Sequence, residues 1–391
     1  MGRLGSTVAA LGLLAVTVVV ALGLGEGVLR LWPQLMPEEF ALRQHWRAVN
    51  EREVSQGDPY LGFRFPPLYQ GRFERDGGEF AFTYTTDGHG FRNPWPWPER
   101  ADIVVVGDSM AFGYGVEDDR TWTALLADRL PGTEIINLGL VGAAPQQYLR
   151  AFERYGQDLQ PKIVLFCLFP GNDLGDAGRF DQWLQAGAKG NYRLWRQDGG
   201  AAAGARGPHR LLEQSYLVAF LRSVPARISA RLSGRTIELA NGGRLQLAPA
   251  VYDRNATLAQ PDHPYFRLVI DAIERTRALG AESDSAFLVL LVPTKEEVYL
   301  PLLDQQPPPG TAPFADYFSA HAVPYLDLTP HFQAAAGTGA QLFFEVDGHP
   351  NAAGYRLIAE AVLERLQDDA QGYGLAHRRR PAPRQAVPEQ G

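Results

Sequence analysis

Leu4 to Gly25 is a run of 22 residues without a charge, lying between Arg3 and Glu26. Its core, VAALGLLAVTVVVALG, has no polar face, unlike a helix half-buried in a globular core. As a helix the run is about 33 Å long, enough for a hydrocarbon layer of about 30 Å. A cleaved signal has a shorter apolar core and a small-x-small site, and Ala21-Leu22-Gly23 is a weak one. Residues 1–33 are therefore expected to be an uncleaved anchor, a membrane partner for the chain. Arg30, Arg43 and Arg47 follow the run among Glu26, Glu38 and Glu39, so local Lys/Arg counting does not set orientation. A hydrophobic segment at the extreme start acts as a signal anchor, which predicts a cytoplasmic N-terminus and a periplasmic bulk.

Residues 34–100 are rich in Pro, Gly and aromatics and read as an extended lead-in with some β structure. FAFTYTT (80–86) alternates and predicts a strand, DGHG (87–90) a turn, and PWPWP (94–98) an extended segment. From Asp102 the texture changes. IVVVGDS, EIINLGL, KIVLFCLF, SAFLVLLVP and VPYLDL are short apolar runs fit for buried strands. Between them WTALLADRL (122–130), residues 146–155, YFRLVIDAIERTRALG (265–280) and AAGYRLIAEAVLERLQ (352–367) have helical spacing. Such alternation predicts an α/β domain with a parallel sheet and right-handed crossovers over residues 101–370. The rhythm breaks at about 177–262, read as an insertion with a flexible GGAAAGARG patch (199–207) and a helix in LLEQSYLVAFLRSVPARI. Residues 371–391 read as a disordered tail.

Composition narrows the classes. Hydrophobic residues are 45% and charged residues 21% of 391, which excludes a wholly disordered or collagen-like chain. A net charge of −7 argues against a general nucleic-acid binder. The single cysteine, Cys167, excludes an intramolecular disulfide, a Cys-based zinc site and a CxxC pair. GDSMAFGYG lacks the P-loop lysine, and the histidines show no HExxH spacing. No cofactor or metal is implied.

Four short motifs carry candidate chemistry. Ser109, in Gly107-Asp108-Ser109, ends the first buried strand, at the rim where open α/β sheets place their sites. The same tripeptide serves equally as a turn or helix cap. In NLGLVGAA (137–144), Gly142 can offer an unobstructed backbone N–H, or serve a positive φ. Asn172, in Gly171-Asn172-Asp173 after the third strand, can donate to an oxyanion or simply turn the chain. In Asp347-Gly348-His349-Pro350-Asn351, His349 can act as general base with Asp347 fixing its tautomer, or the segment is a turn capped by Asn351. Pro293-Thr294-Lys295 after the fourth strand is either a helix start or a neighbour of the site.

In this order the motifs resemble the SGNH (GDSL) hydrolase superfamily, over roughly 101–176 and 263–367. The resemblance implies a three-layer α/β/α, flavodoxin-like fold. It implies Ser109 as nucleophile, His349 as base, and an oxyanion hole from Ser109 N–H, Gly142 and Asn172. Gly142 is preferred to Gly139 because it stands five after Asn137. Many members carry the acid three residues before the histidine, where Val346 stands here. Asp347, two before, resembles the D-x-H variant of extracytoplasmic members that handle carbohydrate acetyl groups. The implied activity is that of a serine ester hydrolase on an O-acyl ester of a carbohydrate or envelope polymer. Alternatives are an O-acyltransferase to a polysaccharide hydroxyl and a catalytically silent assembly or binding protein.

Overall fold

The structure, a computed structural model, describes residues 2–32, 55–75, 78–197, 215–218, 220–221, 235–252, 255–369 and 373. The GGAAAGARG patch and almost all of the expected tail lie outside the described residues, as does most of the helix expected over 211–228.

Gly2–Leu31 forms one helix that contains the whole uncharged run. Among the described residues no helix is long and apolar enough to cross a membrane. The transmembrane span expected from the sequence is thus not shown. The side chains of residues 2–12, 14, 15 and 19 lie outside the described ones, and the remainder of the helix carries Glu26 and Arg30. Glu26 accepts from the backbone N–H groups of Tyr216 and Leu217.

The lead-in is more than a linker. It makes two antiparallel hairpins, β1 (Gln56–Asp58) with β2 (Gly62–Arg64), and β3 (Gln70–Glu74) with β4 (Ala81–Thr85). Phe63, Phe65, Phe80, Phe82 and Phe91 are buried in the main core cluster. Gly90 has φ 89°, and a Cβ there would stand 2.2 Å from Phe65 O. The DGHG turn therefore needs glycine at that point.

The central sheet comprises β5 (Ile103–Val106), β6 (Ile135–Asn137), β7 (Ile163–Leu168), and later β10 (Ala286–Leu291) and β11 (Tyr325–Asp327). All pairings are parallel, in the order β11-β10-β7-β5-β6. Counted within this sheet from the β6 edge, the order is second, first, third, fourth, fifth, which is flavodoxin-like. Its three inner strands, β5, β7 and β10, are apolar throughout because both faces are covered. Val104, Val106, Val164, Phe166 and Leu168 face one core cluster. Ile103, Val105, Ile163, Leu165 and Cys167 face the other. Helices Pro145–Ala151, Asp173–Gln185 and Pro264–Ala281 supply the first side; Trp122–Arg129, Lys295–Tyr299 and Ala352–Asp368 supply the second.

The expected insertion begins inside a helix. Asp173–Gln185 runs through residue 177, with Phe180 and Trp183 buried in the core. Within 177–262 lies also the hairpin β8 (Arg235–Glu238) with β9 (Arg244–Leu247). Leu245 and Leu247 of that hairpin are buried on the second face. The strand order reverses between β5 and β7, so a crevice opens beyond their carboxyl ends. Ser109 follows β5 and Asn172 follows β7.

Candidate active site

Asp108 caps the short helix Ser109–Phe112 by accepting from Met110 N–H at 2.8 Å. Gly107 is required sterically, since a Cβ there would stand 2.6 Å from Ala111 Cβ and 2.9 Å from Cys167 Cβ. This tight turn presents Ser109, which is 5% exposed, at the mouth of the crevice.

His349 arrives from the far end of the chain, ahead of the helix Ala352–Asp368. Asn351 caps that helix, accepting from Ala353 and Gly354 N–H. Ser109 Oγ lies 2.8 Å from His349 Nε2. His349 Nδ1 lies 2.5 Å from Asp347 Oδ1, which also accepts from His349 N–H at 2.8 Å. With Asp347 accepting at Nδ1, the proton belongs on Nδ1 and Nε2 is free to accept from Ser109. The Tyr114 ring packs on the imidazole, with centroids 4.5 Å apart. Burial on its own would raise the Asp347 carboxyl. The neighbouring His349 and the Arg75 guanidinium outweigh it and hold the group well below the usual carboxylate range.

Asn172 stands at the start of the helix Asp173–Gln185, yet its side chain makes no cap bond. Its Nδ2 donates instead to Asp108 Oδ2 at 3.1 Å, and its Oδ1 is buried without a partner. A turn residue has no need of that reach. The turn itself is fastened by Asp173, which accepts from Phe169 N–H and Tyr148 Oη. Burial raises the Asp108 carboxyl above its ordinary value, against the bonds from Met110 and Asn172.

Gly142 has φ 74° in a turn closed by Ala143 N–H to Leu140 O. Its carbonyl accepts from Arg196. Gly139 differs: its N–H is used by Asn137 Oδ1, and a Cβ there would stand 2.6 Å from Phe112 N. That glycine is explained by packing and is not free to donate elsewhere.

The structure therefore brings Ser109, His349 and Asp347 into one bonded line and sets Asn172 beside it through Asp108. Three further residues reach the same place. Arg75 pairs with Asp347 Oδ2. Glu79 accepts from Val346 N–H at 2.6 Å and Asp347 N–H at 3.2 Å. Lys295, 2% exposed, donates to the carbonyls of Phe344, Glu345, Val346 and Asp347 at 3.1–3.4 Å. Pro293-Thr294-Lys295 is thus both a helix start and a neighbour of the site, with Thr294 as cap. Arg75 and Glu79 have no motif around them to single them out.

Residues 252–390 match the family model described as the SGNH hydrolase-like domain of acetyltransferase AlgX. The match spans 139 of the 391 residues. The match includes Asp347 and His349, while Ser109, Gly142 and Asn172 lie ahead of it. No curated protein matches the sequence. Among solved structures, the chain is similar to a member of the lipolytic protein G-D-S-L family from Veillonella parvula. The identity is 16% and the TM-score 0.35, over 68% of this chain and 97% of that one. It is also similar to the lipase/acylhydrolase from Enterococcus faecalis, at 14% and 0.33 over 68% and 96%. An acetylxylan esterase from Geobacillus stearothermophilus matches at 15% and 0.24 over 68% and 95%.

Proposed function

We propose that the protein is a serine esterase or acyltransferase acting on an O-acyl ester, with Ser109, His349 and Asp347 as its catalytic residues. The observation that carries this is the unbroken line Ser109 Oγ, His349 Nε2, His349 Nδ1, Asp347 Oδ1. Ser109 Oγ attacks the acyl carbon as its proton passes to His349 Nε2. Asp347 keeps the ring oriented and stabilises its charged form. The tetrahedral oxyanion is received by Ser109 N–H, Gly142 N–H and the Asn172 amide. One N–H of that amide is engaged by Asp108, and the other is available for donation. The imidazolium returns its proton to the leaving alkoxide. The acyl-enzyme then passes its acyl group to water or to a hydroxyl acceptor, with His349 again as base.

A carbohydrate or envelope polymer is the proposed acyl carrier, on the D-x-H spacing. Acyl transfer to a polysaccharide hydroxyl is the second reading, favoured by the acetyltransferase description of the matching family model. The proposed setting is extracytoplasmic, behind an anchor in the helix Gly2–Leu31. The support for it is the uncharged run and the exposed apolar side chains of Leu13, Val16, Leu22 and Leu24. A fluorophosphonate probe tests the nucleophile. Wild type is expected to be labelled and Ser109→Ala not; equal labelling would overturn the proposal. Product analysis on acetyl esters, with and without sugar acceptors, separates hydrolysis from transfer.

A further inference from the structure

The loop that carries Asp347 is held by side chains from elsewhere in addition to backbone bonds such as Gln246 N–H to Glu345 O. Glu79 takes the N–H groups of Val346 and Asp347, and Lys295 takes four consecutive carbonyls, from Phe344 to Asp347. Phe80 stacks on Phe344 with centroids 4.1 Å apart, so the β3–β4 hairpin lies flat against this loop. At the end of β3, Arg75 bonds Asp347 Oδ2 through Nη1, and its Nε lies 3.1 Å from Glu79 Oε2. Asp347 thus has a different partner at each oxygen: His349 at Oδ1 and Arg75 at Oδ2. Both Arg75 and Asp347 side chains are mostly buried, at 16% and 7% exposure, where charge–charge interactions are weakly screened.

We infer that the lead-in hairpin is part of the catalytic apparatus, and that Arg75 is a positioning residue that fixes Asp347 and tempers its charge toward His349. This rests on the proposed serine mechanism and adds a control on its base. The sign follows from electrostatics. A bare carboxylate favours the imidazolium and makes the base harder to free of its proton as pH falls. A guanidinium on the opposite oxygen offsets part of that charge, so its removal favours the imidazolium. The other groups facing the pair are Asp108 beside Ser109, Tyr114 on the imidazole, Lys295 below the loop and Tyr355 on the last helix. Glu345, in the same loop, is directed to Arg244. Arg75 and Glu79 therefore form an opposed pair whose removal one at a time should act in opposite directions.

The experiment is the pH profile of kcat/KM with p-nitrophenyl acetate for the full-length protein and its variants. Arg75→Gln should move the acid limb up by about 0.5–1 pH unit, the size expected for one charge a few ångströms away in a partly wet site. Arg75→Lys should bring the limb back toward wild type, and Glu79→Gln should move it down. A purely structural Arg75 would lower the plateau and the melting temperature and leave the limb in place. An unmoved limb in folded Arg75→Gln, with Ser109→Ala inactive, overturns the inference and spares the serine mechanism. Full activity in Ser109→Ala overturns both. If Arg75→Gln does not fold, the Glu79→Gln profile decides alone: a limb that stays or rises overturns the inference.

Discussion

Asp347 and Glu345 lie two residues apart, and only one of them meets His349. Asp347 contacts the imidazole, while Glu345 pairs with Arg244 at 3.7 Å among exposed side chains. Asp347→Asn should therefore lower kcat strongly and KM little, whereas Glu345→Gln should leave both near wild type. Equal, mild effects in steady-state kinetics would remove Asp347 from the mechanism. The same carboxylate has a thermodynamic signature. Its acidity is strengthened by folding, so its stabilising contribution is present above the unfolded value near 3.9 and is lost as pH falls below it. Denaturant midpoints of wild type and Asp347→Asn should differ at neutral pH and converge in acid. Asn172 gives a second prediction. Asn172→Gly keeps the turn and deletes the donor, and a missing oxyanion donor typically costs ~10²–10³ in turnover. Turnover within about threefold of wild type in this folded variant would leave Asn172 as a turn residue only. Ser109, Gly142 and Asn172 were legible in the sequence because each follows a strand that its apolar run announces, and Asp347 and His349 because they stand just ahead of the last helix. Arg75 was not: 272 positions separate it from Asp347, and no local pattern records a contact made through the fold.

The sheet and four of its helices were read correctly because their causes are local. IVVV, IVLFCL and AFLVLL are apolar at every position, as strands covered on both faces must be. Strand ends were less legible: within EIINLGL the strand is Ile135–Asn137, although Leu138 and Leu140 N–H still bond to Val105 O and Gly107 O. The lead-in and insertion were underestimated for a different reason. Their hairpins are short and irregular, and their stability comes from burying Phe63, Phe82 or Leu245 against the domain, which no window of sequence shows. The helix Lys295–Tyr299 illustrates the gain from the third dimension. Its Thr294 cap is visible in sequence, but its first residue turns its ammonium into a ring of loop carbonyls. Lys295→Met leaves those carbonyls short of their donor, at about 1–3 kcal/mol for buried groups left unpaired. The expected outcome is a lower melting temperature together with a fall in kcat at nearly constant KM, because the loop carries Asp347. A thermal melt shifted with kcat unchanged would show that the lysine supports the fold and not the site.

At the scale of the molecule, the site is assembled from distant parts of the chain. Arg75 and Glu79 come from the lead-in, Ser109 and Asn172 from strand ends, Lys295 from the second half, and Asp347 with His349 from the last turn before the final helix. The lead-in therefore has to fold in the same compartment as the rest, since without it Asp347 loses Arg75 and its loop loses Glu79. This constrains topology. If the helix Gly2–Leu31 anchors the chain with its N-terminus inside, everything from residue 34 onward must emerge together on the far side. Arg3 and the α-amino group precede the uncharged run, and Glu26 and Arg30 follow it. Alkaline phosphatase folds only in an oxidising compartment, whereas an ordinary green fluorescent protein exported through the same route stays dark. Alkaline phosphatase fused after residue 370 should be active in a bacterial host, and green fluorescent protein at that position should not fluoresce. Deleting residues 2–31 should reverse both signals. A fluorescent, phosphatase-negative full-length fusion would put the site in the cytoplasm and remove envelope polymers from its substrates, while leaving the Ser109–His349–Asp347 chemistry to be judged on its own kinetics.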